Sequence, residues 1–511
     1  MGAFQSMLFI DGTVEVEGAA QPSTFRDLNL DQIVDEVVVG REIYRLKPYF
    51  YTELPTVDAV QYRHDIMRDL EQEPLFDAVR TFGRRLAVMR DYLQQVNKLH
   101  YPRQKQAWFV EAVTIYCAAV QSMVSAVAAV DIKSRGFQRF LAYAVEYVGS
   151  DSFRVLAEET KVVLADLSSI QYSLSIKGLT ITVGPDRNEP DYRHDVNATF
   201  ERFRKAAAVD YAVKFSEHPE MNHVEARILD LVARLYPEPF RRLDTYCERY
   251  RESYLDSGIT QFDREVQFYL AYREFMQRLA RKGLSFCYPA ILTTTKDIQG
   301  EGAFDLALAA KLAQGDRAPV LNSFYLQDPE RMFVITGPNQ GGKTTFARMV
   351  GQLHYLAKLG CPVPGQHARL FFYDRIFTHF EREEQAADLQ GKLTDDLVRI
   401  HEILTQATGA SLIILNEIFS STTLQDALYL GQQIIGHIIN KDTLAIVVTF
   451  IEEWAGLSDK TVSLVSAVAP ESPAVRTFKI VRRSPDGRSY AQSIAEKYGL
   501  TYERIKERIG R

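Results

Sequence analysis

Gly337-x-x-x-x-Gly342-Lys343-Thr344, within the run MFVITGPNQGGKTT from Met332 to Thr345, gathers the residue types that hold a polyphosphate. Its glycines let backbone N–H groups turn toward phosphate oxygens, Lys343 supplies a point charge, and the Thr344 hydroxyl is of the kind that ligates Mg²⁺. Pro338, Asn339, Gly341 and Thr345 complete the expected nucleotide-binding set. The β-branched, apolar run Phe333 to Ile335 predicts a buried strand, and Phe346 to Lys358 a helix whose N-terminus adds positive potential. A chance glycine-rich turn is the plainer alternative, and the full pattern in its strand-loop-helix context argues against it. The pattern therefore implies ATP or another nucleoside triphosphate, with Mg²⁺.

The second half of such a site is expected from Ser411 to Glu417, an apolar run ending in Asn416-Glu417. Ligands of an α/β sheet lie at the carboxyl ends of its strands. Glu417 is the candidate base or orienter of an attacking water, with Lys343 as the second catalytic candidate. Thr344, Asn416 and Glu417 are the candidate metal ligands. An Asp is usual where Asn416 stands; Asn keeps an oxygen but loses the charge, so Mg²⁺ should be held less firmly. Thr422, Thr423 and Asp426 precede a helical pattern, and both helix capping and a dimer contact beside the nucleotide fit them.

The elements that must position these residues divide the chain in texture. At 511 residues it is too long for one core, and two to four domains are expected. A net charge of -6 excludes a wholesale basic coat for nucleic acid, so any DNA contact must be local. Cys117, Cys247, Cys287 and Cys361 lie far apart with no C-x-x-C spacing, which argues against zinc and suits a reducing cytoplasm. No run reads as a signal or as long enough to cross a bilayer.

After a mixed segment 1–50, with a helix expected over Asn29 to Arg45, residues 51–300 read as helical. Leu75, Val79, Phe82, Leu86, Met89 and Leu93 form one stripe, a packing seam. A more apolar helix spans 104–130. Leu174 and Ile176, Lys177-Gly178, then Leu179, Ile181 and Val183 predict a hairpin. Val224, Ile228, Leu231 and Leu235, and later Phe268, Tyr272, Phe275 and Leu279, are two further seams, of lever helices or of a plain bundle. From 301 to 511 short strands and helices alternate, the mark of an α/β sheet. The candidate strands are Phe333 to Thr336, Arg369 to Tyr373, Leu412 to Leu415, Thr443 to Thr449, Thr461 to Val465 and Val475 to Val481.

Several motifs in order resemble the MutS family of DNA mismatch-repair ATPases. TGPNQGGKTT resembles that family's P-loop, PVPGQHARLFFYDRIFTHF its next strand and DRIFTR-type block at Asp374 to Thr378, NEIFSSTTLQDA its DEIGRGTS segment, and DGRSYAQSIAEKYGLTYERIKERI its closing stretch. The pattern can be laid without a gap from about 318 to 452. Tyr62 to Ile66 is similar, more loosely, to the family's early core helix. The resemblance implies an all-α core and lever region with a small β-hairpin, then an α/β P-loop ATPase domain of the ABC type. It also implies a homodimer around ATP, in which Gly391 and Lys392 at a helix end reach the partner's nucleotide. A reduced DNA clamp at 172–215, with the basic run Arg202, Arg204 and Lys205, and a plain surface hairpin with a solvated helix face both fit that region.

The departures from the family are specific. There is no room for the amino-terminal mismatch-reading domain, and no appended nuclease domain is expected. Phe450 stands where the family has a His near the γ-phosphate, and Pro319 where it has an aromatic residue stacked on adenine. The implied activity is ATP binding and slow hydrolysis coupled to binding mismatched, branched or otherwise unusual DNA. The rival reading is a nucleotide-gated module for a protein partner or a ribosome, with no DNA role.

Overall fold

The computed structural model describes residues 4–12, 16, 18–186, 221–315, 317–380, 392–419, 422–469, 472–484 and 506. Two compact units emerge from its internal contacts, one formed by 1–4, 71–132 and 137–263, the other by 5–70, 133–136 and 264–511.

The first unit is helical. Pro74 opens the helix Glu73–Lys98, where its missing N–H costs nothing, and Leu75, Val79, Phe82, Leu86 and Met89 are buried along one stripe. Leu93 at the far end is only partly covered. The helix Pro102–Ala128 packs along it. That helix corrects one expectation, because it has the length and composition to cross a bilayer; half of its most apolar window is buried inside the unit, as a core helix would be.

Ser150 caps the helix Asp151–Ser168, its hydroxyl accepting from the Phe153 N–H at 3.3 Å. The hairpin β1 (Tyr172–Lys177) and β2 (Thr180–Pro185) follows, with Ile176 opposite Ile181 and Leu174 opposite Val183. The turn lies one residue later than the sequence suggests, at Gly178-Leu179. Gly178 takes a positive φ of 62°, which leaves Leu179 fully exposed at the tip. The helix His223–Leu235 packs on β2, yet of its residues only Val232 is buried. Among the described residues Val224 and Leu235 are exposed and Ile228 and Leu231 partly covered, so the expected seam is only partly packed there. Pro237 starts a new helix, Pro237–Tyr250.

The second unit holds the sheets. Its strands are β3 (Phe286–Cys287), β4 (Ala290–Leu292), β5 (Gln299–Ala303), β6 (Asn322–Tyr325), β7 (Met332–Thr336), β8 (Val363–Pro364), β9 (His367–Phe371), β10 (Ile376–His379), β11 (Leu412–Asn416), β12 (Leu444–Val448), β13 (Thr461–Ala469) and β14 (Ser472–Arg482). The main sheet runs β10-β11-β12-β7-β13-β14, parallel except for the antiparallel edge strand β14. Every residue of β7, β11 and β12 is buried, the state in which parallel strands read as unbroken apolar runs. The predicted strand Arg369 to Tyr373 is β9, and it belongs to the smaller sheet β4-β9-β5-β6. The main-sheet edge is the four-residue β10, too short to stand out in the sequence.

Residues 5–70 count with this unit. The expected helix Asn29 to Arg45 is shorter, Leu30–Val38, because Asn29 is left-handed and the chain turns out at Val39. Buried Arg63 donates to the Leu8 and Leu359 carbonyls (3.0 and 2.8 Å), tying the early helix Val57–Asp69 to the end of the helix Lys343–Lys358. Arg348 and Gln352 of that same helix donate to the carbonyls of Asp27 and Leu28 at 2.9 Å. The seam Phe268, Tyr272, Phe275 and Leu279 is buried within this unit.

Candidate functional site

β7 lies between β12 and β13, and the chain leaves its carboxyl end at Thr336 into the loop 337–342. Gly337 has φ 120°, a conformation that strains any other residue, and a Cβ there would lie 3.0 Å from that of Ser466. At Gly341 an added Cβ would fall on the Ser466 hydroxyl itself. That hydroxyl, on β13 and fully buried, donates to the Gly341 carbonyl at 2.7 Å. Arg476 of β14 donates to the Asn339 carbonyl at 3.2 Å. The antiparallel ribbon β13-β14 thus fixes the loop from behind. Sequence reasoning missed Ser466; the signal, a small polar residue in an apolar strand, is faint.

Lys343 opens the helix Lys343–Lys358 and is 4% exposed. Its ammonium donates to the Gly337 and Pro338 carbonyls at 2.9 and 3.2 Å and lies 4.2 Å from the centre of the Phe450 ring. Burial pulls its pKa down from 10.5 to about 8, against the field of Glu417, which favours the charged form. The Thr344 hydroxyl donates to Asn416 Oδ1 at 2.9 Å, joining the two sequence motifs at the tip of β11. Glu417 has φ 57°, and its N–H is held by the Val448 carbonyl at 2.9 Å; the forced backbone turns the chain sharply at the strand end. A hydroxyl, an amide oxygen and one carboxylate fit a Mg²⁺ that arrives on phosphates. Among the described residues no three His, Cys, Asp or Glu cluster as a metal site of their own.

The loop forms one wall of a cavity of about 540 Å³, lined by Asn339 to Thr345 and by Glu417. Leu308, Leu312, Pro319, Val320 and Phe478 make its apolar side. That volume is in the range of small-molecule sites, polar at one end and apolar at the other. Phe478, in β14 with φ 59° and half exposed, was not anticipated. The Asn322 side chain holds β14 here, donating to the Phe478 carbonyl (3.2 Å) and accepting from the Ile480 N–H (2.8 Å). With Pro319 unable to stack as an aromatic, Phe478, the exposed one of the two phenyl rings that line the cavity, is the candidate to meet a base. Phe478→Ala is expected to weaken ATP binding roughly threefold to tenfold, while inorganic tripolyphosphate binds unchanged; calorimetry with both ligands checks it.

Gly391 lies outside the described residues, as do Arg202, Arg204, Lys205, the rest of 187–220 and the closing stretch apart from residue 506. Lys392 is the first residue of the helix Lys392–Gln406. Thr423 caps the helix Leu424–Asn440, accepting from the Asp426 N–H at 3.2 Å, so capping is the observed role of that pair. Asp374 of the DRIFT block accepts from the Ser411 hydroxyl at 2.7 Å and also from Thr408, well away from the loop.

These features define a multidomain protein, one part helical and the other a mixed sheet whose glycine-rich strand-to-helix turn faces a cavity at the carboxyl edge. Comparison with known proteins narrows the class. Residues 333–508 match the family profile described as MutS domain V. The DNA mismatch repair protein MutS of Thermotoga petrophila is 28% identical over 304 residues, 55% of this chain and 35% of that protein. Those of Fervidobacterium nodosum and Halalkalibacterium halodurans are 31% and 34% identical over 196 and 188 residues, covering 37% and 35% of this chain and 24% and 21% of theirs. Over these spans the chain is similar to MutS proteins. In each case the match spans about a third or less of the relative's length.

Proposed function

We propose that this chain is a MutS-like ATP-binding and ATP-hydrolysing protein of the cytoplasm that dimerises around ATP and binds mismatched, branched or otherwise unusual DNA in repair or recombination. One observation carries the reading: Lys343 and Thr344 line the cavity together with Glu417, about seventy residues on in sequence, and Asn416 accepts the Thr344 hydroxyl beside them. On ATP binding Lys343 exchanges the Gly337 and Pro338 carbonyls for phosphate oxygens. Gly337 to Gly342 present N–H groups, and Thr344 and Thr345 begin the helix whose positive end faces the phosphates. Mg²⁺, near Thr344, Asn416 and Glu417, would neutralise charge between the outer phosphates. Glu417 accepts a proton as water attacks the γ-phosphorus; the bond to the bridging oxygen breaks, giving ADP and phosphate. Gly391, Lys392 and the Thr422 to Asp426 loop complete the partner's site. The domain plan retained with this reading is 1–50, 51–300 and 301–511, with a reduced clamp at 172–215.

Filter binding of duplex, mismatched and branched DNA, with and without ATP, tests it. DNA binding is expected to weaken steeply and linearly on a log-log salt plot, by about 0.9 per phosphate contacted. No binding to any of these DNAs at low salt would replace this reading with the nucleotide-gated protein or ribosome module.

A further inference from the structure

The pairing of Asn416 with Thr344 bears on how the site treats the metal that accompanies a triphosphate, a point that rests on the nucleotide reading above. We propose that this site binds free ATP about as tightly as Mg-ATP, because Asn416 places a neutral amide where a carboxylate would require a cation. Asn416 ends β11 and is 7% exposed. Its Oδ1 accepts the Thr344 hydroxyl at 2.9 Å, so a neutral amide, not a carboxylate, stands beside the cavity-lining Thr344.

The charges around the cavity lead to the same conclusion. Among the described residues its lining carries two cations, Arg317 and Lys343, and two carboxylates, Asp305 and Glu417. Glu417 acts on Lys343, and Arg476 bonds the loop from behind. Burial pushes the Asp305 carboxyl up, so the lining holds no excess of negative charge. An aspartate at 416, close to asparagine in shape, would add a negative charge beside Thr344 and oppose a polyanion that brings no cation, and at a few ångströms one charge alters affinity by about tenfold or more.

Calorimetric titration of ATP into the full chain, once in excess MgCl₂ and once in EDTA, reads this directly. The wild-type Kd is expected to differ by less than about threefold between the two buffers. Asn416→Asp is expected to match wild type in MgCl₂ and to lose roughly 10- to 100-fold in EDTA. A wild-type loss of tenfold or more in EDTA overturns the proposal while leaving ATP as the ligand. Absence of binding in both buffers overturns the nucleotide reading, and this one with it. Should the variant fail to fold, the wild-type ratio decides alone.

Discussion

Lys343→Ala is expected to lose about 10- to 150-fold in ATP affinity, the range for hydrogen bonds to a charged partner, without loss of fold. The two effects separate because among the described residues the ammonium of Lys343, a residue 4% exposed, meets two loop carbonyls and the face of one ring. Burial disfavours its charged form, so the native state gives up little when the charge is removed. The pKa of about 8 sets the sign with pH. Lys343 is depressed in the fold relative to 10.5, so between about 8 and 10.5 the unfolded chain binds more protons, and this group's contribution to stability rises with pH across that window. Nucleotide affinity moves the other way. Above about 8 the free protein must take up a proton at Lys343 to meet the phosphates, so ATP binding weakens as pH rises. Calorimetry across that range, with a parallel thermal melt, checks both. Full affinity in Lys343→Ala would remove the ligand and everything built on it.

The parts of this site that were legible in the sequence are those with a local cause. A glycine-rich turn between an apolar strand and a helix constrains only its own eight residues, and the strand Met332–Thr336 and the helix Lys343–Lys358 flank it. The fully buried strands β7, β11 and β12 announce themselves because both faces are apolar. The contributions of β13 and β14 were not legible. Ser466 matters only because register places it behind Gly341, and Phe478 only because its positive φ brings it to the cavity mouth, and neither fact is encoded near those residues. The helix His223–Leu235 shows the opposite failure: its spacing is regular and it packs on β2 and on the helix Pro237–Tyr250, yet of its residues only Val232 is buried. Periodicity states which residues share a face, not what covers it.

The Asn416→Asp, Phe450→His double variant is expected to hydrolyse ATP roughly 10²- to 10³-fold faster than the natural chain, the usual value of one positioned electrostatic contact. Asn416 already has the right place, within 2.9 Å of the Thr344 hydroxyl, and lacks only the charge that would hold Mg²⁺ through its shell. Phe450 follows Thr449, whose N–H is bonded to the Ile335 carbonyl at 3.0 Å, so the tip of β12 is registered against β7 and its side chain reaches Lys343. A phenyl ring there can face a cation and cannot hydrogen-bond a phosphate; an imidazole can donate. Because both positions touch the Lys343-Thr344 pair, the single variants should not add. Asn416→Asp alone restores the metal, Phe450→His alone adds a donor with no firmly held metal to work beside, and the double exceeds their product. Phosphate release measured for all four proteins under saturating Mg-ATP decides the matter. If the natural chain turns over as fast as the double variant, slow hydrolysis is not built into these two residues, and ATP binding cannot be the signal on their account.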